Sequence, residues 1–435
     1  LVMGLGNIVR GQVVKGAIFL VAEGVFIYLF LTSGIQSIFG DGTVDHPGLG
    51  WLGPVLKSQQ TWVDGKLQFV NATNSVTVLL YGIAWIFIVL AFVVVWVTSL
   101  RSAYKAQVLH QTGQNVPSFA QDVRDLLDNR IHSSLMALPT LGLLVFTILP
   151  LVFMISMAFT SFDNNNVQAF NWVGLDTFAT VFSPTGSADL GVNAGLFLRV
   201  LIWTLVWAFL ATFLNFFLGM FITMVILRNG TRLKSLWRIC FSMSIAVPQF
   251  VSLLVIHQML QPTGIVNQML TGWGLIDSPL PFFTDEWWAR ATVIIVNLWI
   301  GIPFTIMQIT GILQNVPAEL YEASKIDGAN WVQTFVHITM PYIFFVMTPY
   351  LITTFVGNVN NFNVIFFLSG GAPSTVEDSA GKTDLLITWL YKLTVERLNY
   401  NVGAVIGILT FIVLAVVSLL TYRSSGSYKN EEGFR

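Results

Sequence analysis

Apolar residues run together along this chain in eight stretches, roughly 16–32, 76–100, 135–159, 196–227, 239–260, 291–313, 342–368 and 402–422, with polar segments between them. About 20 mainly apolar residues carry a helix across the hydrocarbon core of a bilayer. The pattern therefore predicts an all-α integral membrane protein with eight transmembrane helices. The first run is short and holds Glu23, expected as a helix-interface or interfacial carboxylate rather than a transport group.

Composition agrees with the pattern. Of 435 residues, 54% are hydrophobic and only 10% charged, against about 25% charged in soluble domains. The net charge of −1 carries no information by itself, because the placement of Lys and Arg orients a membrane protein. Fourteen of the 21 basic residues fall on one set of loops and span ends, among them Arg101, Lys105, Arg124, Arg130, Arg228 and Lys325. The opposite set holds seven, including Lys57, Lys66, Arg199 and Arg290. This asymmetry predicts that both termini are cytoplasmic, in a multi-pass protein of the cell membrane. The single Cys240 excludes internal disulfides. The chain begins at Leu1 rather than Met, and no cleavable signal is expected in it.

The chain divides near Arg130. Residues 1–130 hold two spans and the polar segment "RSAYKAQVLHQTGQNVPSFAQDVRDLLDNR", and residues 131–435 hold six spans with shorter loops. Within the polar segment, 118–135 reads as a surface helix. Ser118 can cap it, and Val123, Leu126, Leu127 and Ile131 share one face.

Several chemistries are missing. There is no phosphate-binding glycine loop of the ATPase type, no Cys/His cluster with metal spacing, and no nucleophile–base or paired-carboxylate constellation in the spans. No catalytic or metal-binding residue is expected, and no cofactor in this chain. Of five histidines only His257 falls within a span, where a hydrogen-bonded packing role is expected. The near absence of ionisable residues from the last six spans argues against a proton-driven pump, though not against a sodium-coupled carrier.

One polar stretch is tightly patterned: "LYEASKIDGANWVQTFVHITMP", residues 320–341. Pro317 suits the first turn of a helix, Gly328 can end it in the left-handed conformation, and "ANWVQTFVHITM" starts a second helix before Pro341 opens the next span. Ala323 and Ser324 would let another protein approach closely, and Glu322 could anchor the turn or meet a cation of a partner. An ordinary amphipathic connector would show the same pattern.

Helical spacing also groups polar positions inside the spans. Asn297, Gly301 and Phe304 share a face, as do Thr354, Asn358 and Asn361, with Gly357 adjacent; Ile245 and Gln249 lie four apart beside Pro248. Amides can both donate to and accept from a polar ligand, and an aromatic side chain can stack on a ring. The alternative is that these amides join helices; three such faces together favour a pocket.

Glu322-Ala323-Ser324, then Gly328, Ile338 and Pro341, resemble the "EAA" motif of ABC-importer permeases, E-A-A-x₃-G-x₉-I-x-L-P, with Ser324 for the second Ala and Met340 for Leu. "NLWIGIPF", "SIAVPQF", "GNVNNFNVIFFLSGGAP" and "AGKTDLLITWLYKLT" resemble sugar-importer permeases of the maltose/maltodextrin type. The resemblance covers most of the chain from about Leu135 and, more loosely, the first two spans. It implies two N-terminal spans plus a six-span type I importer core, with a coupling helix near 317–341. Glu322, Ala323, Ser324 and Gly328 would lie where the ATP-binding subunit docks. Sugar contacts are implied at the sites matching Gln249, Asn297, Gly301, Phe304, Thr354, Gly357, Asn358 and Asn361, and also at Ile245 and Ile300.

Implied partners are a second homologous permease, two ATP-binding subunits that hold ATP and Mg, an extracellular sugar-binding protein, the oligosaccharide and membrane lipid, with no nucleic acid. Implied too is a bacterial cell membrane. The large extracellular insertion of some members is reduced here to about 161–195, so the binding protein must be met differently. The function expected is import of a maltose/maltodextrin-type oligosaccharide, powered by ATP hydrolysis on the partners. The alternatives are a sodium-coupled secondary sugar transporter and a permease for a different oligosaccharide.

Overall fold

The structure is a computed structural model, and it describes residues 2–40, 48–51, 60–63, 66–69, 74–167, 169–187, 190–228 and 230–424, with no side chains described over 51–73. The chain separates into two compact units, residues 1–177 with 399–404, and residues 178–398 with 405–435. This division follows packing; the division at Arg130 expected from the sequence follows span order.

In the first unit a short helix, α1 (Leu5–Val9), precedes the span α2 (Val13–Ile38). The span runs beyond residue 32 because its hydroxyls do not break it. Thr32 and Ser37 donate to the carbonyls of Tyr28 and Ser33 four residues back, at 2.9 and 2.8 Å. Glu23 accepts the backbone N–H of Met3 at 2.8 Å, which ties α2 to the preceding segment.

A two-stranded antiparallel hairpin follows, β1 (Gln60–Val63) with β2 (Lys66–Phe69), with Gln60 opposite Phe69. It is an addition to the otherwise helical fold expected. The span α3 (Ser75–Gln111) is capped by Asn74 and continues eleven residues past its apolar run. Next, α4 (Phe119–Leu127) starts with a capping box between Ser118 and Gln121. It stops at Asp128, so Ile131 begins the next span, α5 (Ile131–Met157), rather than extending the surface helix to residue 135. After α5, Phe162 lies between Phe170, tilted against it, and Tyr400, stacked on it, with ring centroids 4.6 and 4.4 Å away.

In the second unit the span α6 (Ala194–Leu227) is capped by Asn193. The fifth apolar run is bent: α7 (Lys234–Ala246) and α8 (Gln249–Met259) meet at 88° across Val247–Pro248. Pro248 cannot donate to the helix and disfavours helical geometry at Val247. The span α9 (Glu286–Gln314) is capped by Asp285 and leads into α10 (Ala318–Ile326). The seventh run is interrupted too, with α11 (Met340–Val359) ending at Asn360 and α12 (Phe362–Leu368) starting after Asn361. A short helix, α13 (Leu386–Tyr391), precedes the last span, α14 (Tyr400–Ser424).

By length and apolarity seven helices of the described residues can cross a membrane, or eight when the bent pair is counted as one span. Trp203, Trp207, Leu253, Val296, Val359, Ile365 and Leu368 form one apolar cluster shared by α6, α8, α9, α11 and α12.

Candidate functional site

Two places carry the residues that the sequence singles out. The first is the polar turn between α9 and α11. Pro317 stands at the N-cap of α10, and Gly328 ends that region with φ +74°, which a residue with a Cβ adopts only at a cost. Glu322 and Ala323 are exposed, whereas Ser324 is only 7% exposed. Its hydroxyl donates to the Tyr321 carbonyl at 2.9 Å and accepts from Thr334 at 3.3 Å, and Tyr321 in turn reaches the Thr339 hydroxyl at 3.2 Å. Ser324 therefore holds the turn together from inside, and the close surface approach open to both small residues falls to Ala323.

The second helix expected here is not a separate element. Trp331–Thr334 is capped by Asn330, passes through a π-helical turn at Phe335–Thr339 and runs on into α11. The wide turn sits where Pro341 removes a backbone donor. Leu320, Ile326, Trp331 and Val332 leave an apolar surface around the glycine turn, with Ile326 85% exposed.

The second place is where the two interrupted runs meet. α8 and α12 lie against each other, clasped by His257. Its Nδ1 lies 2.6 Å from the Leu368 carbonyl, which can only accept, so Nδ1 carries the proton and Nε2 accepts from the Gln261 amide at 2.7 Å. At the other end of the pair the Asn363 amide donates to Gln249 at 3.4 Å. Asn361 caps α12 by accepting the N–H of Val364 at 3.3 Å. The break after Val359 means that the face expected to run Thr354–Asn358–Asn361 stops at Asn358, and Asn361 belongs to the next helix.

The remaining positions divide by what they touch. Asn358 faces α6: its amide donates to the Thr212 hydroxyl at 2.9 Å, and its carbonyl accepts the Trp207 indole N–H at 3.1 Å. Gly301 also faces α6, where the side chain of Asn215 fills the space a Cβ would take. One turn along, Thr305 covers Gly219 in the same way. These contacts are the helix-joining use of small and amide residues. Asn297 is buried on α9, Thr354 is half-buried, Gly357 opens onto unfilled space, and Phe304 is 47% exposed. Ile245 and Ile300 are half-buried, and Ile300 packs against the shared apolar cluster.

Sequence reasoning missed Thr212, Asn215 and Asn363. Thr212 and Asn215 are both buried, three residues apart in a largely apolar helix, and among the described residues Asn215 Oδ1 has no hydrogen-bond partner. Their polarity inside a 34-residue span was the available signal.

Residues 215–425 match the family described as "Binding-protein-dependent transport system inner membrane component". The galactooligosaccharides transport system permease protein GanP of Bacillus subtilis (strain 168) is 30% identical over 436 residues, 99% of this chain and 97% of that protein. This chain belongs to the binding-protein-dependent transport system inner membrane components. The maltodextrin transport system permease protein MdxF of the same organism is 29% identical over 446 residues, 99% of this chain and 95% of its relative. A crystal structure of a bacterial alginate ABC transporter in complex with an alginate pentasaccharide-bound periplasmic protein shares the fold. It has a TM-score of 0.56 at 21% identity and covers 71% of this chain and 96% of its own.

As an inner membrane component, the protein also carries a compact polar segment between α12 and α14. Asp384 is 1% exposed and accepts from the Gly381 N–H, the Thr388 hydroxyl and Lys392 Nζ at 2.7, 2.9 and 2.6 Å. Asp378 pairs with Arg199 at the start of α6, at 2.6 Å, and with Lys382 at 3.8 Å. Burial alone would raise the Asp378 carboxyl. Hydrogen bonds from Arg199 and Thr375 and the charges of Arg199 and Lys382 outweigh it and hold the group below the ordinary carboxylate range.

Proposed function

We propose that this chain is the permease subunit of an ATP-driven importer of neutral oligosaccharides of the maltodextrin kind. In this reading it works with a second homologous permease, two ATP-binding subunits and an extracellular sugar-binding protein, in a bacterial cell membrane with both termini cytoplasmic. The observation that carries the proposal is the meeting of α8 and α12 at Gln249 and Asn363. Each helix starts at a break inside an apolar run, and freed backbone groups at membrane depth are tolerated where they line a polar path.

Gln249, Asn361 and Asn363 then offer donors and acceptors for sugar hydroxyls, with Gly357 leaving room and Phe304 offering an aromatic face. Asn358 and Gly301 fix the position of α6 behind this wall instead of touching sugar. Support for an oligosaccharide comes from two relatives, a galactooligosaccharides permease and a maltodextrin permease. The absence of a charged side chain among the proposed contacts favours a neutral sugar.

ATP is hydrolysed on the partner subunits, and the turn around Glu322, Ala323 and Gly328 transmits their closure to α9 and α11. Ser324 keeps that turn rigid, so motion at the docked surface moves the two spans together.

Reconstituting the full complex in proteoliposomes tests this reading. Accumulation of maltodextrin or galactooligosaccharide should require ATP and the binding protein and should ignore sodium. Uptake driven by a sodium gradient without ATP would replace it with a secondary carrier.

A further inference from the structure

A cavity of about 900 Å³ lies in the first unit between α2, α3 and α4. Its position along α3 is informative. That helix is apolar to Leu100, and Arg101 and Lys105 follow at i and i+4 on one face, both lining the cavity. α4 closes the opposite side. It is held there by Lys15, which pairs with Asp122 at 2.7 Å, and by Gln12, whose amide donates to the Pro117 carbonyl at 2.9 Å.

The charges in the cavity do not cancel. Asp122 is taken by Lys15, and Asp125 by Arg130 at 2.9 Å. Among the described residues Arg101, Lys105 and Arg124 have no carboxylate partner, and all three line the cavity with Asp128 as the remaining acid. The polarity is also graded. Phe19 and Thr98 line the end toward the apolar parts of α2 and α3, and the cations line the other.

We propose that this cavity binds the phosphate headgroup of an anionic phospholipid. Arg101 and Lys105 would hold the phosphate from α3 and Arg124 from α4, while the acyl chains leave past Phe19. Three features argue for a lipid. The cations start where the apolar run stops, which is the depth of the headgroups. Guanidinium and ammonium groups suit phosphate. Clustered cations beside a span also attract anionic lipid. The ion pairs Lys15–Asp122 and Arg130–Asp125 shape the walls and leave the other three cations for the ligand. The lipid would brace α4 against the two N-terminal spans.

The test uses the assembled complex in detergent, with phosphatidylglycerol, phosphatidylcholine or inorganic phosphate added, read by native mass spectrometry and thermal unfolding. Wild type should retain phosphatidylglycerol and unfold at a higher temperature with it than with phosphatidylcholine, and inorganic phosphate should not reproduce the shift. Arg101→Gln/Lys105→Gln should bind phosphatidylglycerol about tenfold or more weakly and lose the shift, with unchanged stability in phosphatidylcholine. Arg124→Glu should give the same loss, and it serves if the double variant does not assemble. Arg228→Gln/Arg232→Gln, an equal change of charge elsewhere, should keep the shift. Retention of phosphatidylglycerol by the Arg101/Lys105 variant, or an equal shift from inorganic phosphate, would overturn the proposal.

Discussion

The side chain of Asn215 on α6 occupies the space that Gly301 leaves on α9. Thr305 and Gly219 repeat the arrangement with the roles exchanged, since here α9 supplies the side chain and α6 the glycine. Without a hydrophobic drive between helices in lipid, such close approach is what holds two spans together. Gly301→Leu should therefore destabilise the complex by about 1–3 kcal/mol through overpacking, seen as a lower unfolding temperature. Adding Asn215→Ala should restore part of the loss, because the second change empties the contested space. A stable single variant would show that the two helices are free to separate.

Gly328 is required by backbone conformation and not by packing. A Cβ built there meets nothing within 4 Å, so the cost of a side chain is conformational and not steric. Its φ of +74° costs a β-branched residue on the order of 1–2 kcal/mol. Gly328→Val should distort the turn, and Gly328→Asn should be milder, because Asn tolerates this conformation. We expect Val to reduce sugar-stimulated ATP hydrolysis of the assembled complex and Asn to preserve most of it. Equal, normal hydrolysis in both would remove the turn from coupling.

Asn361 has two roles to separate, capping α12 and, in the proposed function, contacting sugar. Asn361→Ser keeps an oxygen that can cap but loses the amide donors. It should leave the unfolding temperature nearly unchanged and lower uptake per complex. Asn361→Ala should also lose about 1 kcal/mol of stability with the cap. If Ser transports at the wild-type rate, capping is the whole role of Asn361.

These residues show how far the sequence is legible. Eight apolar runs were visible because span length needs only composition, and Gly328 was visible because a glycine after a good helix-former has one common use. The face Thr354–Asn358–Asn361 was misread because no proline marks the break at Asn360; the asparagines themselves end one helix and cap the next. Gly301 and Asn358 looked like their neighbours in pattern. Their partners, Asn215 and Thr212, lie some 86 and 146 positions away on α6, and only packing reveals which face of a span meets another helix. Ser324 was identified by a motif, but its inward orientation depends on Tyr321 and Thr334.

The pair Asp378–Arg199 gives a pH prediction. A carboxyl held below its ordinary value stabilises the fold above its unfolded pKa, about 4, and that contribution is lost as pH falls through the lower folded value. Asp378→Asn should therefore unfold at a lower temperature than wild type at pH 7. The difference should shrink only below about pH 4, as the wild-type carboxyl takes up its proton. Unfolding curves of both proteins across that range check it, and a difference that changes between pH 7 and 5 would point to another group.

The proposed sugar path runs past α8, α9 and α12, and thiol labelling in the assembled complex tests that directly. Phe304→Cys, in a Cys240→Ser background because Cys240 is exposed, places one thiol on the aromatic position of α9. A water-soluble maleimide should label it at a rate that changes when ATP and sugar-loaded binding protein are added, and transported sugar should slow the labelling. A rate that is the same under every condition would place Phe304 against lipid and contradict the proposed path.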